Sequence, residues 1–310
     1  LWFQGTDGQS GYEPWVTDGT AAGTQRVADI APGLADSFPT HFTQIDDGHV
    51  IFAAESPQSG RELWISDGTA AGTSLLLDLT PYSTSGSGDP RELVSPDGRG
   101  LVFSANDGVF GRELYRWDAV GGAQLVLDVS PLGNGLVHDL TVAWDGSAVR
   151  TFFSADDGTH GEELWVTDGT AAGTQLVRDI KPGTNGSRPD ALVAPGTRGL
   201  LFAAEGANGV ELWRTDGTSA GTLEVADVFP GLDSSDPEGF VRLGDRVAFV
   251  ATGLGTGREL WITDGTAVGT TLLADVVPGP TGSQVEELAA WQGKLFFAAT
   301  DGAGSEPWMF

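Results

Sequence analysis

The chain has 310 residues, 46 of them glycine and 16 proline, which excludes long helix-forming runs and points to strands joined by turns. Its 43 acidic and 16 basic residues give a net charge of -27, which repels nucleic acid and anionic membrane surfaces and suits positively charged partners. With no cysteine there is no disulfide, and no apolar run of about 18 residues is available to span a membrane as a helix.

In chain order, the first element is the apolar strand "LWFQGTDG" at 1–8, followed by "EPWVTDGTAAGT" at 13–24. The latter phrase returns almost unchanged as "ELWVTDGTAAGT" at 163–174, with weaker copies elsewhere. The copies set Trp15, Trp64, Tyr115, Trp165, Trp213, Trp261 and Trp308 in register, 49, 51, 50, 48, 48 and 47 residues apart. Self-similarity at such a period marks a repeat architecture covering residues 1–310 as a single domain.

Each period divides into four strand-like runs. From residue 191, "ALVAPG" is strand A, "GLLFAAEG" strand B, "VELWRTDG" strand C, and "GTLEVADVFPG" carries strand D. Tight Gly-bearing junctions ("DDG" at 46–48, "PDG" at 96–98, "WDG" at 144–146) join A to B as hairpins require. Longer Pro, Gly and Ser segments such as "PGTNGSRPD" lead from D to the next A. A four-stranded sheet that is apolar on both faces must be covered on both, and radial stacking does this while protecting the edges. An all-β fold is therefore expected: a β-propeller of four-stranded antiparallel blades. Strands B and C occur seven times but A and D six, because the chain opens in a B strand and stops in a C strand. Seven blades, the terminal ones incomplete, leave fewer apolar strands unpaired than the six-bladed alternative. About 25 residues ahead of Leu1 are then expected to close the ring in the natural protein, unless a neighbouring molecule supplies strands to the open edges.

Glu-Leu-Trp-x-Ser/Thr-Asp-Gly-Thr, as in 62–69, 163–170, 211–218 and 259–266, resembles the ELWxxDGT repeat family of secreted bacterial proteins over nearly the whole chain. The strand layout is also similar to Kelch repeats, and "SADDGTHGEELW" at 154–165 loosely resembles the Asp-box of sialidase-type propellers. The resemblance implies an exported propeller, extracellular or on a bacterial cell surface, and supports the fold more than any activity.

Period-2 alternation puts Glu163, Trp165 and Thr167 on one face of strand C and Leu164 and Val166 on the other. The tryptophans are expected as packing wedges. The glutamates of the seven copies, Glu13, Glu62, Glu113, Glu163, Glu211, Glu259 and Glu306, need hydrogen-bond donors at covered positions and are expected to clasp backbone N–H groups of an adjacent turn. Catalysis does not need seven equivalent acids. Asp18, Asp67, Asp168, Asp216 and Asp264 are expected as turn builders, and the aspartates ending each D strand (Asp29, Asp78, Asp128, Asp179, Asp227, Asp275) as brackets for the linkers. Carboxylates concentrated at Asp46, Asp47, Asp156 and Asp157 make Ca²⁺ the candidate ion. The four histidines show no zinc spacing, and no Gly-x-Ser-x-Gly elbow occurs.

The third copy, "ELYRWDAVGG", puts Tyr115 for Trp, moves a Trp to 117 and loses Asp-Gly-Thr, a departure that can mark a site. The expected function is an exported, non-enzymatic binding or scaffold module for a protein or glycan partner. The alternatives are a secreted hydrolase or lyase of sialidase-like design, marked by converging Arg, Tyr and carboxylate groups, and a subunit that self-associates through its incomplete terminal blades.

Overall fold

The computed structural model describes residues 1–45, 48–81, 86–131, 133–196, 199–301 and 304–310. The chain forms seven antiparallel sheets, the blades of a β-propeller fold. Sheet one holds β1 (Trp2–Gly5), β2 (Glu13–Val16) and β3 (Gln25–Arg26). Sheet two holds β4 (Thr40–Gln44), β5 (Val50–Ser56), β6 (Gly60–Ser66) and β7 (Ser74–Leu77). Sheet three holds β8 (Arg91–Val94), β9 (Gly100–Asn106), β10 (Arg112–Asp118) and β11 (Gly122–Leu127). Sheet four holds β12 (His138–Trp144), β13 (Val149–Asp156), β14 (Glu162–Thr167) and β15 (Gln175–Arg178). Sheet five holds β16 (Asp190–Val193), β17 (Leu200–Gly206), β18 (Gly209–Thr215) and β19 (Leu223–Ala226). Sheet six holds β20 (Glu238–Leu243), β21 (Arg246–Gly253), β22 (Gly257–Thr263) and β23 (Thr271–Ala274). Sheet seven holds β24 (Glu286–Trp291), β25 (Lys294–Thr300) and β26 (Ser305–Met309). The two three-stranded sheets are the first, without an A strand, and the last, without a D strand, as the strand count requires.

The chain divides into two compact units, Leu1–Leu140 with Gly169–Ala172, and Thr141–Asp168 with Gly173–Phe310. Within each, consecutive sheets cover one another face to face. In the first unit, Val50, Phe52 and Ala54 of β5 pack with Ile30 beside sheet one, while Ile51 packs with Leu101 and Phe103 of sheet three. In the second, Phe202 packs with Phe152 and Leu164 of sheet four, and Leu201 with Val247 and Phe249 of sheet six. Period-2 alternation thus delivers successive B-strand residues to two different neighbours, which is why these strands read as continuous apolar runs. On strand C the same rule sends Trp213 toward sheet four and Leu212 toward sheet six.

The A strands form the edge along which sheets converge: β4 lies beside β8 in the first unit, and β20 beside both β16 and β24 in the second. Each A strand is bent by a residue with positive φ at its second position, such as Glu92 (φ 54), Ala191 (φ 55) or Glu287 (φ 56), and the A-to-B ladder slips there. Three residues earlier stands a second left-handed residue, as at Asp89 (φ 40), Arg188 (φ 50) and Gln284 (φ 49). This paired kink turns the linker into the sheet, and, Gly239 of β20 apart, the non-glycine side chains at these positions hide it from a reading of the sequence.

Candidate functional site

The repeated glutamates are buried and occupied. Glu13, Glu62, Glu113, Glu163, Glu211 and Glu259 are all 0% exposed. Glu163 accepts hydrogen bonds from the amides of Ile180, Lys181 and Ser187 and from the Ser187 hydroxyl, at 2.5–3.2 Å. Glu211 accepts from the amides of Val228 and Ser235 and from the Ser235 hydroxyl at 2.6–2.9 Å. Glu62 and Glu113 use Gly88 and Gly135 in place of the serine, accepting their amides at 2.7 and 2.8 Å. A Cβ on either glycine would stand 2.6 Å from a glutamate oxygen, so in these two copies there is no room for the serine that donates in the others. Burial raises the pKa of Glu13, Glu62, Glu163 and Glu211 against the pull of these donors, and pushes Glu113 up to about 7. Glu306 differs: it is exposed on β26.

The Asp-Gly-Thr phrase builds the C-to-D turn. Asp67 Oδ1 accepts the Thr69 amide and hydroxyl, the Thr69 hydroxyl accepts the Gly72 amide, and Ser66 and Thr73 hydroxyls meet at 2.7 Å across the turn base. The same pattern surrounds Asp18, Asp216 and Asp264. The second glycine is explained by space: a Cβ on Gly23, Gly72, Gly173, Gly221 or Gly269 would lie 2.0–2.1 Å from the turn aspartate's Oδ1, Asp168 included. The threonine hydroxyl, and then its amide, hold the Asp18, Asp67 and Asp264 carboxyls below their usual range. In the third copy Asp118 keeps this duty by accepting the Val120 and Gly121 amides at 2.9 and 2.6 Å, although Gly-Thr is lost. Trp117 takes the place of the paired hydroxyl and is buried in the core between sheets two and three.

Asp156 and Asp157 also serve a turn. Asp156 accepts the Gly158 amide, while Asp157 accepts the Thr159 and His160 amides and meets His160 Nδ1 at 2.7 Å. Asp46 and Asp47 lie outside the described residues. Among the described residues no three His, Asp or Glu side chains gather as a metal would require. The D-strand aspartates bracket the linkers in part: Asp78 accepts the Thr80 amide at 2.9 Å and Asp227 the Gly231 amide at 3.3 Å.

Two features break the repetition, both in the first unit. Three guanidiniums converge on Asp89: Arg91 Nη2 at 2.7 Å, Arg112 Nη2 at 2.6 Å and Arg61 Nε at 3.6 Å. Arg61 also donates to Phe38 O, and Arg112 to Asp89 O and Ser104 Oγ, so each secures a left-handed residue at the entry of an A strand. Arg258 does the same for Asp236 O in the second unit. The signal was present in the sequence as "GREL" at 60–63, 111–114 and 257–260. Only the first two stand in consecutive copies, and their arginines meet.

The second feature is a cleft of about 790 Å³ between the linker after β7 and the B-to-C turn of sheet three. Leu77, Leu79 and Val109 give it apolar walls, Asp78 and Asp107 give it carboxylates, and Tyr115 closes it from within. Tyr115 is 4% exposed, and its hydroxyl lies beside the Asp107 carboxylate without closing a hydrogen bond of ordinary geometry. In sheets five and six the indole edge of Trp213 or Trp261 fills the corresponding corner, against Gly206 or Gly253. A smaller cavity of about 370 Å³ between sheets five and six is walled by turn residues, including Asp216, Gly221 and Asp264.

No protein-family model matches the chain, and no curated protein sequence aligns with it. Solved structures do match. A puromycin hydrolase superposes with a TM-score of 0.52 at 17% identity, over 96% of this chain and 47% of that one. Prolyl oligopeptidase B from Galerina marginata gives 0.55 at 13% identity, over 88% and 42%. The β-propeller domain of the trilobed protease from Pyrococcus furiosus, described as having an open velcro topology, gives 0.51 at 10% identity, over 88% and 80%. The chain spans less than half the length of the first two proteins, and at these identities the likeness is one of fold.

Proposed function

We propose that the chain is an exported, non-enzymatic binding or scaffold module for a protein or glycan partner, built from ELWxxDGT-type repeats. The observation that carries this reading is that the repeated acids are consumed by the frame: the six buried glutamates hold linker amides, and the turn aspartates hold turn amides. What remains for a ligand is irregular surface, and in the first unit it includes a cleft at the copy that departs from the repeat. The net charge of -27 favours a basic partner and an association that weakens with salt.

The hydrolase reading draws on one observation, the arginine convergence at Asp89. Two of its guanidiniums, those of Arg61 and Arg112, are engaged with backbone carbonyls of the A-strand kinks, and Tyr115 lies in the cleft with Asp107. The test is to titrate the immobilised chain with a lysine-rich peptide, a glutamate-rich peptide and soluble glycans, while assaying fluorogenic ester, peptide and glycoside substrates. Saturable, salt-sensitive binding without turnover is expected. Saturating turnover that Arg112→Ala abolishes in a folded protein would overturn it in favour of the enzyme. Calcium at Asp156 and Asp157 is read by calorimetry in the same series, and self-association by light scattering.

A further inference from the structure

The cleft between sheets two and three has a definite chemistry. Its lining carries two carboxylates, Asp78 and Asp107, and no Lys or Arg among the described residues. One oxygen of each is spent locally: Asp107 Oδ1 accepts the Val109 and Phe110 amides at 2.8 and 3.1 Å, and Asp78 Oδ1 the Thr80 amide at 2.9 Å. The buried Tyr115 hydroxyl, beside Asp107 but without a hydrogen bond of ordinary geometry, offers a further oxygen in the same corner. A buried polar atom left unmatched costs about 1–3 kcal/mol, and a donor-rich ligand reaching it removes that cost. Anions are repelled here. A ligand suited to the site donates several hydrogen bonds, carries positive charge, and has an apolar stem to lie along Leu77, Leu79 and Val109, the last of which is 74% exposed.

We infer that this cleft takes an alkylammonium group, either a lysine side chain of a partner protein or a free primary amine, with its ammonium at Asp107 and Tyr115. The inference rests on the binding-module reading and gives that module its ligand class. An ammonium has three N–H donors, which matches a phenol oxygen and two carboxylates. The volume lies in the range of small-ligand sites. Tyr115 stands where an indole fills the corner in sheets five and six.

Cadaverine is the probe, with 1,5-pentanediol as its neutral counterpart, titrated by calorimetry and by chemical-shift perturbation into the full chain. Cadaverine should bind and the diol should not. Tyr115→Phe keeps the packing and removes the hydroxyl, and is expected to weaken binding about tenfold, the size of one hydrogen bond to a charged group. Asp107→Asn retains a turn-competent side chain and is expected to weaken it further. Tyr115→Trp should refill the corner and abolish binding with the melting temperature held. A lysine-rich peptide competing with cadaverine, where its norleucine counterpart does not, assigns the site to a protein lysine; cadaverine binding without such competition assigns it to a free amine. Equal binding of amine and diol, or unchanged affinity in Tyr115→Phe and Tyr115→Trp, sinks the inference. If cadaverine fails while the peptide still binds the Tyr115→Trp variant, the cleft assignment alone falls; if nothing binds, the module reading falls with it.

Discussion

At the scale of single residues, most of the repeated phrase is a set of spatial exclusions and hydrogen-bond duties. Gly72 is instructive because its backbone is ordinary and only space forbids a side chain: its Cβ would collide with Asp67 Oδ1 at 2.1 Å. Gly72→Ala is expected to destabilise the fold by about 2 kcal/mol. Adding Asp67→Ala should recover part of that loss, a non-additivity measurable in a double-mutant cycle by urea denaturation. Glu211 tests the clasp. Glu211→Ala strips acceptors from the Val228 and Ser235 amides and the Ser235 hydroxyl in a fully buried setting and should cost about 3 kcal/mol or more, against about 1 for Ser235→Ala. Equal costs for the two would show that the glutamate is a passenger. The need of these glutamates for amide donors was legible from the sequence, because a covered carboxylate must be paired. Which amides answer was not legible, since they lie 16 to 26 residues downstream in linkers of irregular sequence.

Among elements, the linkers bend to a fixed rule. The second anchor of the clasp falls 24 residues after the glutamate in sheets one, four, five and six, but 26 after it in sheet two and 22 in sheet three. Segment length varies while the anchor persists, so the clasp, not the linker, sets how a D strand hands over to the next A strand. Two residues inserted between Phe229 and Asp233 should therefore cost less than about 1 kcal/mol, the small entropic charge of a longer loop. Phe202→Ala in β17, by contrast, should cost about 3–5 kcal/mol through the cavity it leaves between sheets four and five. Thermal melts of the two variants compare these directly, and similar losses would contradict the division of labour. Strands A to D were readable from period 2 and turn chemistry. The paired left-handed kinks were not, because Asp89, Glu92, Arg188 and Ala191 carry none of the glycine that usually signals positive φ.

At the level of the whole molecule, two families of carboxylates pull stability in opposite directions with pH. The buried glutamates have raised pKa values, so their contribution is complete below about 4.3, the value in unfolded chains, and is lost as pH rises through the folded values, about 7 for Glu113. The turn aspartates have depressed values, as has Asp7, which accepts the Gln9 and Ser10 amides between β1 and β2 and is lowered to about 2, so their contribution is present above about 3.9 and is lost as pH falls toward 2. The self-repulsion of a -27 chain also eases on acidification. The melting temperature should thus peak near pH 5 and fall toward pH 8, and Glu113→Gln should flatten the alkaline slope. A melting temperature that climbs steadily from pH 5 to pH 8 would falsify the assignment.

The sequence by itself determined the repeat, the four-stranded unit and the face on which each Trp, Leu and Glu lies, and favoured seven blades over six, because these follow from periodicity and turn residues that act within a few positions. Only the tertiary structure decided that the repeated acids are spent on linker amides, that Arg61, Arg91 and Arg112 meet at Asp89, and that Tyr115 and Asp107 line one cleft. Each of those depends on which residues of neighbouring sheets face one another across a packed interface, a relation between copies about 50 residues apart that no local pattern encodes.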